Sequence, residues 1–176
     1  MKVLDQEVYT IRKGFLVPLG LLLVQSLALF VICLIKGEAT AKIVILGAMI
    51  VPIAGLFVES AWRRVVVEES GVTIFKVLRK KTLLFSELTA VETVQVRKRA
   101  FLTLSTEADF LILSNAYAGF PALVHDLLKR SPPAAISAET RHMAQNPPVK
   151  SSDIVSCWVG VLLLTLILYS QLGGTF

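Results

Sequence analysis

Histidine and cysteine are scarce in this chain of 176 residues, which has two of each. Cys33 and Cys157 both fall in apolar stretches, where cysteine serves as a small hydrophobe, so no disulfide framework is expected. His125 and His142 have no cysteine or carboxylate partner at metal-ligand spacing, and a metal centre is not expected either. The chain also lacks a G-x-S-x-G nucleophile turn, an H-E-x-x-H pair and a phosphate-cradling glycine loop. Ser86-Glu87 reads as a turn rather than an acid–base pair. With no catalytic constellation and no cofactor motif, the chain is read as a non-enzymatic protein.

Charge is missing from three long stretches, and here the absence is informative. The chain is 55% hydrophobic, against about 45–50% for an ordinary soluble protein. The surplus lies in these three blocks. Phe15–Ile35 holds no charge, and at about 1.5 Å per helical residue it spans a hydrocarbon core of about 30 Å. Pro18 falls in its first turn, where a missing N–H is harmless. Gln25 and Ser26 are its only strongly polar pair, placed for an interhelical hydrogen bond rather than a pore. Ile43–Val58 is shorter, and Glu59 to Trp62 carry it to the interface. Ile154–Leu172 is the third block. No block has a charge at its middle, as proton relays and ion pathways usually require.

A signal peptide is the rival reading of the first block, with Ala39-Thr40-Ala41 resembling a cleavage site. However, a signal core is about 7–15 residues long, this block is longer, and Asp5 and Glu7 spoil the preceding region. Ile32 before Cys33 breaks a lipobox. Lys36–Lys42 is a tight connection, so the first two blocks form a hairpin. In it Gly47, Ala48, Ala54 and Gly55 either permit close packing or face lipid.

Arg12 and Lys13 flank the first helix, and Trp62, Arg63 and Arg64 follow the second. These five are expected as membrane-interface anchors. Lysine and arginine are concentrated in the amino-terminal end and the middle of the chain, with Lys2 and Lys150 at its extremes. The positive-inside rule therefore puts both regions in the cytoplasm and the carboxyl-terminal end outside.

From Arg64 to Leu113 the period changes to that of strands. Val65–Val67, Val72–Leu78, Thr82–Phe85, Ala90–Val96, Ala100–Ser105 and Phe110–Leu113 are the expected strands. The turns between them are Ser70-Gly71, Arg79-Lys80-Lys81, Ser86-Glu87, Arg97-Lys98-Arg99 and Glu107-Ala108-Asp109. An amphipathic helix follows Pro121. Its apolar stripe is Leu123, Val124, Leu127 and Leu128, with Asp126, Lys129 and Arg130 facing away. Ser131-Pro132-Pro133 stops it. Ser131–Ser152, holding Pro132, Pro133, Pro147 and Pro148, is read as a linker with a short helix over Ala134–Ala144. The chain thus divides into an amino-terminal segment (1–13), a transmembrane hairpin (14–62), a small all-β sheet or barrel with a capping helix (63–130), a linker (131–152) and a third transmembrane helix (153–176).

The order Arg63-Arg64-Val65-Val66-Val67, Ser70-Gly71-Val72, a basic turn and then Phe85-Ser86-Glu87-Leu88 resembles bacterial pleckstrin-homology-like (PH-like) domains attached to transmembrane hairpins. Those often show an aromatic-Ser-Glu-Ile step where this chain has Phe85 to Leu88. The third apolar helix departs from that usual pattern. The resemblance implies a PH-like barrel at the bacterial inner membrane, non-enzymatic and often oligomeric. In eukaryotic PH domains a basic loop between the first two strands binds phosphoinositide. Here the corresponding Glu68-Glu69-Ser70-Gly71 is acidic, which argues against that ligand.

The basic clusters Arg79, Lys80, Lys81 and Arg97, Lys98, Arg99 are the candidate binding residues. In an up-and-down meander that leaves the membrane at Arg63, both return to the membrane-proximal end. They are either solvated turns obeying the charge bias, contacts to the anionic leaflet, or contacts to a protein partner. They lack interleaved aromatics, so nucleic acid is not expected. The functional expectation is a membrane-anchored binding or assembly module, self-assembling through open sheet edges or docking on anionic lipid. An accessory subunit of a larger membrane complex is the alternative. A small transporter or enzyme component is a more remote one.

Overall fold

The structure, a computed structural model, describes residues 7–148 and 151–173. Lys2, Asp5, Lys150 and the last three residues lie outside the described residues. In chain order the elements are β1 (Glu7–Thr10), α1 (Lys13–Ile35), α2 (Thr40–Trp62), β2 (Arg64–Val67), β3 (Gly71–Phe75), β4 (Lys80–Leu84), β5 (Ala90–Val96), β6 (Arg99–Ser105), β7 (Phe110–Ser114), α3 (Phe120–Arg130), α4 (Ala138–Gln145) and α5 (Ser152–Gln171). They form two compact units.

The first unit is helical. α1, α2 and α5 are each long and apolar enough to cross a membrane. α1 ends where Gly37 takes a positive φ of 64° and the chain turns tightly into α2. α1 packs most closely on α5, and Gly160 lets the Leu22 side chain approach the α5 backbone. Gln25 Nε2 donates to Thr165 Oγ1 on α5 over 2.8 Å, so the polar residue of the first block does bond between helices. α2 has no buried residue. Its Gly47 lies against the Phe30 ring of α1, while Gly55 faces open space.

The second unit contains two antiparallel sheets, ordered β1-β2-β3-β4 and β5-β6-β7. Burial alternates along β6 and β7, whereas β2 and β3 bury residues on both faces, Val66 and Thr73 included. Val65, Val67, Val72, Ile74 and Leu83 point inward from the first sheet. Leu102, Leu104, Leu111 and Leu113 do so from the second. Each such side chain stabilises the fold by about 1.5–3 kcal/mol when taken from water. α3 adds Phe120, Leu123, Val124 and Leu127 to the same core. It starts after Gly119, whose φ of 64° suits glycine, and ends where Ser131 bonds back to the Leu127 carbonyl ahead of Pro132. Phe85 and Leu88 are both buried and bracket a single 3-10 turn, which is the physical content of the Phe-Ser-Glu-Leu step.

Three features differ from the sequence expectation. First, the residues before α1 form a strand. β1 pairs with β2, Thr10 opposite Arg64, and its far edge continues against the segment after β7 through Arg12 N–H to Ala116 O and Ala118 N–H to Thr10 O. The 63–130 domain is therefore incomplete without residues ahead of the first apolar helix. Second, the segment read as a linker is part of the sheet unit. Ile136 bridges Val91, Ser137 N–H reaches the Val91 carbonyl, and Thr140, fully buried, donates to the same carbonyl at 3.1 Å. Ser137 caps α4, so a serine and a threonine dock this segment where apolar periodicity is weak. Third, Asp126 does not simply face away from the core. It is half-buried and accepts a hydrogen bond from the Tyr9 hydroxyl. Burial first, and then that carboxylate, raise the Tyr9 pKa well above its ordinary value.

Candidate functional site

The cluster Arg79-Lys80-Lys81 was expected to be a turn. The turn instead spans Lys76 to Arg79, closed by Lys76 N–H to Arg79 O at 2.8 Å, and Lys80 and Lys81 begin β4. Strand alternation then sends the two lysines to opposite faces. Lys80 pairs across the sheet with Phe75, which pairs in turn with Arg64. The Phe75 ring carries the Arg64 guanidinium 4.6 Å from its centroid and the Lys80 ammonium at 5.3 Å. At about 0.5–1 kcal/mol each at exposed sites, such contacts bias two cations toward the outer face of the ring's strand.

Lys81 turns the other way, toward β7. It forms an ion pair with Asp109 and lies 4.9 Å from the centroid of the Phe110 ring. The Lys81 ammonium, and then the Phe110 N–H, hold the Asp109 carboxyl below the usual carboxylate range. Between the facing edges of β4 and β7 lies a cleft of about 200 Å³ lined by Ile74, Lys76, Arg79, Lys81, Phe110, Leu111 and Ile112. The expected three-residue cluster is therefore divided. Lys76 and Arg79 are the exposed turn cations, Lys80 is stacked, and Lys81 is neutralised.

The second cluster lies on a two-residue turn. Val96 pairs with Arg99, so only Arg97 and Lys98 connect the strands, and Arg97 adopts a positive φ of 55°. All three cations are exposed. Asn115, 2% exposed, fixes this turn. Its side-chain Nδ2 donates to the Lys98 carbonyl and to the Pro148 carbonyl, each at 2.8 Å. Its backbone N–H reaches Ala100 O, and its own carbonyl accepts from the Arg12 guanidinium.

The remaining expected anchors divide similarly. Arg12 bonds to the Asn115 and Tyr117 carbonyls, and Arg64 is stacked on Phe75. Lys13 and Trp62 are exposed at helix ends, and Arg63 is half-buried. Among the described residues no group of three potential ligands is placed to hold a metal ion.

The register locates both basic turns with respect to the chain's course. Thr10, Arg64, Phe75 and Lys80 form one row across the first sheet, so the Lys76–Arg79 turn lies at the end where the chain leaves for α1 and returns from α2. The Arg97-Lys98 turn is tied through Asn115 to Arg12 and to Pro148, a few residues ahead of α5. Sequence reasoning found these six cations but missed Lys76 and Asn115. Lys76 was hidden inside an overlong strand. A buried asparagine has no local pattern that marks it.

Comparison with protein-family models, with curated proteins and with solved structures finds no match to this chain.

Proposed function

We propose that this is a non-enzymatic membrane-anchored module. Its PH-like sheet domain lies on the cytoplasmic side of the bacterial inner membrane and docks on the anionic leaflet through its two basic turns. The observation that carries the reading is that each basic turn adjoins a point where the chain passes to an apolar helix. The length and composition of α1, α2 and α5 support the anchoring. The meander of four and three strands followed by α3 supports the PH-like reading. A lysine or arginine near an anionic surface contributes roughly 1 kcal/mol. Lys81 adds less, because Asp109 already neutralises it.

Self-assembly through open edges has less to support it. The β5 edge is bridged at Val91 by Ile136 and Ser137, and the Thr10–Arg12 end of the β1 edge is paired with the segment after β7. Among the described residues that leaves the facing edges of β4 and β7 and the unbridged stretches of β1 and β5. The test is lysine footprinting of the full chain reconstituted in vesicles. Lys76, Lys80 and Lys98 should resist acylation in phosphatidylglycerol vesicles at low salt and react in phosphatidylcholine vesicles, with Lys129 reacting equally in both. Equal modification of Lys76, Lys80 and Lys98 in the two lipids refutes docking.

A further inference from the structure

The tip of the β3–β4 turn is built from the wrong residues for an aqueous turn. Glycine, asparagine, aspartate, proline and serine dominate turns because they supply the needed backbone angles or local hydrogen bonds. Here the two central residues are Val77 and Leu78. Val77 is 39% exposed and Leu78 is 91% exposed, so neither is anchored in the core. They are bracketed by Lys76 on one side and Arg79, Lys80 and Lys81 on the other, with no carboxylate within 76–81. Behind the tip, the Phe75 ring carries Arg64 and Lys80. The second turn repeats the combination. Val94 and Val96 are 56% and 57% exposed beside Arg97, Lys98 and Arg99.

An apolar tip inside a collar of cations matches one environment closely. A phospholipid leaflet presents phosphates at its surface and acyl chains just beneath them. An acidic protein surface without an apolar pocket would satisfy the collar and leave the tip in water. A nucleic acid would call for aromatic stacking that neither tip offers. We propose that the β3–β4 tip is a membrane-insertion wedge. Val77 and Leu78 enter the acyl boundary of the anionic leaflet while Lys76, Arg79 and Lys80 engage lipid phosphates, and the Val96 turn makes a second, shallower contact. This rests on the docking reading above and adds an apolar anchor to it.

The experiment places an environment-sensitive fluorophore at the tip of the full chain. A Leu78→Cys variant is made in a Cys33→Ala, Cys157→Ala background, labelled with NBD and reconstituted in phosphatidylglycerol vesicles. Position 107, exposed on the β6–β7 turn, is the control through Glu107→Cys. The expected result is a blue-shifted emission at position 78 and loss of its access to aqueous dithionite, with the control emitting as in water. Water-like emission and full dithionite access at position 78 overturn the wedge. If the lysine footprint is protected at the same time, only the wedge fails and docking stands. If the footprint is unprotected as well, both fail. A Leu78→Asp variant, which keeps every cation and alters no core contact, should lose part of the Lys76 and Lys80 protection. Unchanged protection also counts against insertion.

Discussion

Replacing Asn115 by alanine should loosen the second basic turn and cut its tie to Pro148. The side-chain amide makes two hydrogen bonds of 2.8 Å from a site only 2% exposed. Each neutral bond contributes about 0.5–1.5 kcal/mol net, and a buried group left unsatisfied costs about 1–3 kcal/mol. The Lys98 carbonyl sits on an exposed turn and regains water when abandoned, which reduces its share. A loss of about 2 kcal/mol follows, equivalent to roughly a thirtyfold change in a local opening constant. Hydrogen exchange of the full chain in detergent reads this directly. Amides in 97–101 should lose protection by about that factor, while those of 10–12, held through backbone carbonyls that the variant keeps, and those in the middle of α1 should not change. Asn115→Asp keeps the volume but has no side-chain donor when ionised, so it should be at least as damaging. A change below about threefold in both variants would refute the idea that this asparagine ties the elements together. Damage from alanine but not from aspartate would assign the effect to lost volume.

Thr140→Val keeps the shape of a fully buried residue but removes its donation to Val91 O, and should lower the stability of the sheet unit by about 1–2 kcal/mol in denaturant titration. Gly71→Ala would drive a methyl group into the Leu83 backbone carbonyl, and a loss of about 2 kcal/mol or more is expected in the same assay. Thr165→Val leaves the Gln25 amide with no partner, whereas Gln25→Leu removes that polar group altogether. The threonine variant should therefore weaken α1–α5 association in detergent more than the glutamine variant, and the opposite order would count against the bond. Tyr9 has its folded pKa raised above the ordinary value of 10.0. Its protonated form is favoured by folding, so that contribution is complete below pH 10 and is lost as pH rises further. Tyr9→Phe should flatten the fall in stability above pH 10, and an unchanged slope would show that Tyr9 does not cause it.

The three apolar helices were legible because absence of charge over a long run has few alternatives. A β-branched run marked β2 within a residue, and strand alternation placed β5. It overran β3, because Lys76, Val77 and Leu78 continue an alternating pattern that the backbone abandons. β1 was missed because Glu7 to Thr10 is short and stands before an apolar helix rather than among strands. Only its pairing with β2, across α1 and α2, makes it a strand. The docking of α4 rests on Ser137 and Thr140, residues that look like ordinary linker polarity until Val91 is beside them. Composition identified the basic clusters. It could not divide Lys80 from Lys81, since that depends on where the turn ends.

The pairing of β1 with β2 also has a consequence for how the protein is made. β1 is synthesised ahead of α1, but its partner emerges only after both α1 and α2 have been synthesised. Closing the sheet therefore requires Thr10 and Arg64 to lie on the same side of whatever the two helices traverse. A chain whose helices crossed an odd number of times would strand β1 away from its partner and leave the β2 edge bare. The paired β1–β2 edge is thus a mark of chains in which residues 10 and 64 have come to lie together, and a bare β2 edge would mark those in which they have not.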